Sequence, residues 1–113
     1  MGTEAGIKHD QNKIRYDLVP PRALEGLAKV LTFGANKYTP NGWKSVDKDR
    51  YIAAAMRHFE AYRKGEVNDV ESGLPHMYHV MCCITFISEL DYYNIDKKCP
   101  THEILVPSEE EQP

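Results

Sequence analysis

Apolar residues recur along this chain at helical rather than strand spacing, and they do so in three blocks. The first follows a Pro20-Pro21 pair and carries Leu24, Leu27, Ala28, Leu31, Ala35 and Tyr38. Steps of one, three and four residues place these side chains on one helical face. Proline is tolerated in a first turn, where its missing N–H would have had no partner. The spacing predicts a helix from Pro21 to about Tyr38. The stretch TPNGWKSVDKD is turn-rich, with Asn41-Gly42 its strongest turn signal. A second helix is expected from near Asp47 to Lys64, with Ile52, Ala55, Met56, Phe59 and Tyr62 or Arg63 as its buried stripe and Gly65 as its C-terminal cap.

The third block has a different character. Pro75 opens a helix running to about Tyr93, and Met77, Val80, Met81, Cys82, Cys83, Ile84, Phe86, Ile87 and Leu90 leave it almost no polar side. A helix apolar all round must be covered all round, which two other helices hardly achieve. The pattern therefore predicts a homo-oligomer, a dimer or tetramer, with this helix at its centre. No period-two run persists and no repeat is present. The expected fold is all-α: a compact bundle of three main helices, completed by oligomerisation. Residues 1–94 form the domain, and 95–113 form an extended tail ending in the acidic SEEEQP.

Composition narrows the function classes. At 113 residues the chain makes one domain. A net charge of −3 argues against a binder of nucleic acid polymers, which carries a basic excess. It leaves room for a small phosphorylated ligand held by local basic residues. The three cysteines, Cys82, Cys83 and Cys99, form no CxxC pair, so neither a zinc finger nor a disulfide framework is supported. The start, MGTEAGIKHDQNK, lacks the apolar stretch of a signal peptide, and the run Val80 to Ile87 is too short to span a membrane. A soluble, cytoplasmic protein is expected.

Candidate chemistry concentrates in RHFEAYRKGEVNDVESGLPHMYH, residues 57–79. Glu66, Asp69 and Glu71 crowd a turn-rich loop, and like charges that close repel unless a cation or basic groups compensate them. His76 and His79 share a face at the start of the third helix, and His58 stands shortly before the loop. Oxygen and imidazole ligands at a helix–loop–helix corner suit a divalent cation, and the preponderance of carboxylates points to Mg2+ or Mn2+. The same acids would equally serve a helix N-terminus without any ion. Lys8, His9, Lys13 and Arg15 form a basic cluster able to close over an anion, or simply a solvated mixed-charge run. Trp43, in a polar loop, can stack on a nucleobase or pack onto the helices as a lid. The loops GxxxxGK[ST] and GxGxxG and the elbow GxSxG are all absent.

KHDQNKIRYDLVPP, FGANKY followed by NGW, and residues 57–79 together resemble the phage dATP/dGTP diphosphohydrolase family, a compact relative of the all-α, MazG-like nucleoside triphosphate pyrophosphohydrolases. The resemblance covers roughly residues 8 to 91. It rests on Lys8, Asp10, Lys13, Arg15, Lys37, Tyr38, Asn41, Trp43, Arg57, His58, Gly65, Glu66, Asp69, Glu71, Ser72, Gly73, His76 and His79, in order and at similar spacing. One departure is visible: the broader MazG-like group carries ExxE on one helix and ExxD on the next, whereas here no ExxE occurs between Leu24 and Lys64. Glu66–Asp69 is the only candidate acidic pair.

The resemblance implies metal-assisted attack of water on a purine deoxynucleoside triphosphate, dGTP or dATP, with monophosphate and pyrophosphate leaving. It implies Glu66, Asp69 and Glu71 as catalytic carboxylates, with Mg2+ or Mn2+ held by these and by His58, His76 or His79. Lys13, Arg15, Lys37 and Arg57 would hold phosphates, and Tyr38, Asn41 and Trp43 would line the base. A place in nucleotide-pool remodelling in the cytoplasm of a phage-infected cell follows by the same route. Two other readings stay open: a phosphohydrolase releasing triphosphate or taking diphosphates, and a non-catalytic helical adaptor whose histidine–acid corner holds a structural metal or caps a helix.

Overall fold

The computed structural model describes residues 6–93; Cys99 and the expected tail lie outside them. Among the described residues are three α-helices, α1 (Pro21–Lys37), α2 (Lys48–Arg63) and α3 (His76–Tyr93), and the fold is all-α. Each end lies within about a residue of the expectation, because proline and glycine punctuate the chain. Pro21 sits in the first turn of α1. Tyr38 leaves the helix in an extended conformation just before Thr39-Pro40, where proline disfavours helical backbone. Single 3-10 turns occupy Tyr16–Leu18 and Gly42–Ser45. Among the described residues the only β pairing is an isolated antiparallel bridge between Asn68 and Pro75.

Helices α2 and α3 form an antiparallel hairpin. At one end Lys48 Nζ meets Asp91 Oδ1 at 2.6 Å. Further along, the Tyr51 ring tilts onto Phe86 with centroids 5.1 Å apart. At the loop end His58 faces His76 and His79. Helix α1 also packs against α3, which is therefore the central element. The approach of α1 depends on Gly26: a Cβ there would lie 2.6 Å from the Tyr78 ring. Val30, Cys82, Cys83 and Leu90 are the buried apolar residues of the core.

Two expected faces are buried only in part. Leu24, Leu31 and Tyr38 of the α1 stripe are exposed, as are Ile52, Met56, Phe59 and Tyr62 of the α2 stripe. Toward α3 stand Gly26 and Val30 on α1, both buried, and Tyr51, Ala54, His58 and Ala61 on α2, half-buried; of the expected stripes, Leu27 and Ala55 are half-buried as well. Both helices carry apolar residues on two sides, and periodicity selects the larger side chains. The packing selects the side whose small residues admit the bulky α3. The result leaves a wide apolar surface on α1 and α2, with Leu24 57% and Met56 63% exposed. Central α3 is itself not fully covered, since Ile84 remains exposed.

Candidate functional site

The loop between α2 and α3 is built by backbone chemistry that the sequence spells out. Gly65 adopts φ +107°, a left-handed conformation that a side chain would strain. Its N–H donates to Tyr62 O, and the next N–H, of Glu66, reaches back to Ala61 O, each at 3.0 Å. This is a Schellman cap, and it fixes where Glu66 leaves the helix. The chain then doubles back: Asp69 N–H donates to Leu74 O and His76 N–H to Val67 O, both at 2.8 Å. Asp69 Oδ2 accepts the N–H groups of Glu71 (3.1 Å) and Ser72 (2.9 Å), the turn that an aspartate favours.

That folding brings three ligating groups from three elements together. His58 of α2, Asp69 of the loop and His76 of α3 each offer one atom, and these atoms lie within 4.8 Å of one another. His58 Nδ1 is 2.8 Å from His76 Nδ1 and 4.0 Å from Asp69 Oδ1. His76 is only 4% exposed, and its Nε2 lies 3.0 Å from Glu66 Oε1. The His79 ring stacks on His58, centroids 4.6 Å apart and 10° from parallel. Its Nε2 sits 2.7 Å from Ser72 Oγ, and the edge of Phe33 on α1 closes over it.

Electrostatics favour neutral His58 and His79 rings beside a charged acid. Burial pushes the His58 pKa down, with His79 adding to it and Asp69 opposing. Burial does the same to His79, again against Asp69. Burial alone would raise the Asp69 carboxyl, but its hydrogen bonds from Ser72 and the nearby His79 and His58 outweigh that and hold it below the usual carboxylate range. Neutral imidazoles and an ionised carboxylate are the protonation states a cation needs. The donor set therefore fits a divalent ion.

The remaining candidates are distributed more widely. Glu66 stands behind His76, on the nitrogen pointing away from His58. Glu71 pairs with Lys37 Nζ at the end of α1, so two residues expected to serve metal and phosphate separately neutralise each other. Lys37 also lies over the rings of Tyr38 and Phe33. Arg15 pairs with Asp17, and Lys13 lies in an exposed turn closed by its N–H to Asp10 O. Asn41 takes φ +67° and serves as N-cap of the 3-10 turn. Trp43 stacks on Phe86 with centroids 4.8 Å apart and planes 9° from parallel. Phe86 is two turns beyond His79 on α3, roughly 10 Å along the axis, so this indole packs as a lid on the bundle. Arg57 borders an open cavity of about 500 Å³ shared with Met56, Glu60, Ala61, Lys64 and Glu66. Ser72 and Phe33, which position His79, carried no role in the sequence reading. The Asp-x-x-Ser spacing signals the first, and nothing local signals the second.

The whole arrangement spans α1 to α3, and so does a likeness to known proteins. Residues 3–98 match the model of the family described as dATP/dGTP diphosphohydrolase, N-terminal. The chain belongs to this family. It is also 37% identical over 82 residues to a dATP/dGTP diphosphohydrolase of Salmonella phage PMBT28, an alignment covering 73% of this chain and 28% of that protein. The chain thus spans less than a third of the length of that curated relative. No solved structure matches. The matched family region contains His58, Glu66, Asp69, Glu71, His76 and His79 together with all three helices.

Proposed function

We propose that this chain hydrolyses purine deoxynucleoside triphosphates, dGTP or dATP, to monophosphate and pyrophosphate, and that it depends on Mg2+ or Mn2+ to do so. The observation that carries the reading is the convergence of His58, Asp69 and His76 in a chain of this family. Bound there, a divalent ion would lower the pKa of a water and neutralise charge developing on the phosphates. In the reaction a water oxygen bonds to the α-phosphorus, the bond to the oxygen bridging to the β-phosphorus breaks, and pyrophosphate leaves with that electron pair.

The chain's own groups divide the remaining work. Arg57 and Lys64, on the cavity beside Glu66, supply positive charge for the phosphates. Lys37 turns from Glu71 to a phosphate oxygen when substrate arrives. Glu71, released from that pair, accepts the proton of the attacking water. Asp69 stays ionised through its two backbone hydrogen bonds and holds its place in the loop. The exposed apolar faces of α1 and α2 are covered by further copies of the chain, giving a homo-oligomer. The biological role in this reading is remodelling of the nucleotide pool in a phage-infected cell.

A panel of deoxynucleoside triphosphates with Mg2+ or Mn2+, products separated by chromatography, tests the reaction. Monophosphate and pyrophosphate in equal amounts, lost with chelator, are expected. Release of intact triphosphate, or no turnover of any nucleotide, would overturn the reading. Glu71→Gln is expected to lower kcat at least tenfold; unchanged turnover removes Glu71 from the chemistry.

A further inference from the structure

A cation for this site need not be the magnesium usual in phosphate chemistry. Magnesium prefers oxygen ligands and is held by carboxylates, water and substrate phosphates. Imidazole nitrogen suits iron, nickel and zinc better, and among the transition-metal dications affinity rises from manganese through iron and cobalt to nickel. Of the three atoms that converge here, two are histidine Nδ1 and one is a carboxylate oxygen. They come from α2, the loop and α3, so three positions are set by the fold before any nucleotide binds.

The surroundings strengthen the case. His76 is nearly buried, and Glu66 accepts the hydrogen bond of its outer nitrogen at 3.0 Å. A carboxylate behind a histidine fixes the ring orientation and tautomer and makes the inner nitrogen a better donor to a metal. With Nε2–H committed to Glu66, a neutral His76 leaves Nδ1 bare. The 2.8 Å contact then requires His58 to carry its proton on Nδ1 in the free chain. A bound cation displaces that proton, and His58 becomes the Nε2–H tautomer.

We propose that His58, Asp69 and His76 form a preformed site for a transition-metal dication of the Mn2+, Co2+ or Zn2+ class in preference to Mg2+, with Glu66 as the outer carboxylate that orients His76. This deepens the hydrolase reading and rests on it for the ion's task, but binding is measurable without nucleotide. The chelator-stripped chain would be titrated calorimetrically with Mn2+, Co2+, Zn2+ and Mg2+ separately. One transition-metal ion per chain is expected, bound at least tenfold more tightly than Mg2+. His58→Gln should abolish that binding, Glu66→Gln should weaken it 10–100-fold, and Glu71→Gln should leave it within about twofold, since Glu71 is outside the cluster.

Because a substitution at the corner can loosen the fold, nitrogen NMR of the unaltered chain supplies a second readout. Zn2+ should move the His58 proton from Nδ1 to Nε2. Equal or tighter Mg2+ binding, a tenfold loss on Glu71→Gln, or a His58 Nδ1–H that persists in saturating Zn2+ would each overturn the assignment. Transition-metal binding without turnover of any nucleotide would sink the hydrolase and leave the site standing. Turnover supported by Mg2+ alone, with no metal bound before nucleotide, would do the reverse.

Discussion

His58 and His76 approach each other through like atoms, Nδ1 to Nδ1 at 2.8 Å, although a helical turn, a cap and a doubled-back loop separate them in sequence. A contact of that kind needs one ring to donate and the other to accept, so the two side chains depend on each other. In metal-free protein, unfolding of His58→Ala, His76→Ala and the double variant should show a coupling of about 0.5–1.5 kcal/mol, the range of a net intramolecular hydrogen bond. Strictly additive losses would show that the contact is incidental.

Gly26 carries the packing of α1. An added Cβ meets the Tyr78 ring at 2.6 Å, so Gly26→Ala must displace either the ring or the helix. Overpacking of this size costs about 1–3 kcal/mol, which for a domain this small lowers the melting temperature by roughly 4–8 °C per kcal/mol. Gly34→Ala, where a Cβ meets nothing, should be neutral or stabilising by up to about 1 kcal/mol, because alanine favours a helix interior. A larger loss at Gly34 than at Gly26 in thermal unfolding would contradict the placement of α1 on α3.

The adjacent cysteines are core residues. Burial pushes the Cys82 thiol up to about 12 and raises Cys83 as well, and the thiolate is the reactive form. Peptide mapping after alkylation at pH 8 should find Cys82 and Cys83 unmodified in folded protein and labelled in denaturant. Between pH 9 and about 12 the folded chain keeps a proton on Cys82 that the unfolded chain has lost, so stability falls as pH rises through that window. Labelling of Cys82 in folded protein at the rate of a free thiol would mean that α3 is not packed as described.

Two ion pairs should differ in their contribution to stability. Lys48–Asp91 is mostly buried between α2 and α3, whereas Lys37–Glu71 stands in solvent. Asp91→Asn replaces the charge-assisted hydrogen bond of the first with a neutral one and should cost about 1–3 kcal/mol. Glu71→Gln should cost no more than about 1 kcal/mol, as exposed pairs do. Equal losses in urea unfolding would place the two pairs in similar surroundings.

Helix existence and helix ends were legible from local rules. Pro21, Pro40, Gly65 and Pro75 act on their own backbone or their immediate neighbours, so their effect survives without knowledge of the fold. The loop's richness in ligating groups was legible for the same reason, since Glu66, Asp69, Glu71 and His76 follow one another closely along the chain. Facing was not. Leu24, Leu31, Met56 and Phe59 have the right spacing for a core, yet they lie outside because Gly26 and the small residues of α2 let α3 come closer on the other side.

The division of roles within the site likewise belongs to three dimensions. Glu66, Asp69 and Glu71 are alike in sequence, and only the cap at Gly65 and the backbone pairing of Val67 with His76 send them to three different partners: His76, the loop amides near His58, and Lys37. Trp43 reads in sequence as a base platform or a lid, and only the fold shows one face of its ring stacked on Phe86. Sequence by itself determined the three helices, the polar corner and the family, since propensity, turn chemistry and motif order are properties of neighbouring residues. Only the tertiary structure decided which faces meet and which acid joins which histidine, because those depend on contacts between residues far apart along the chain, where close packing admits one arrangement.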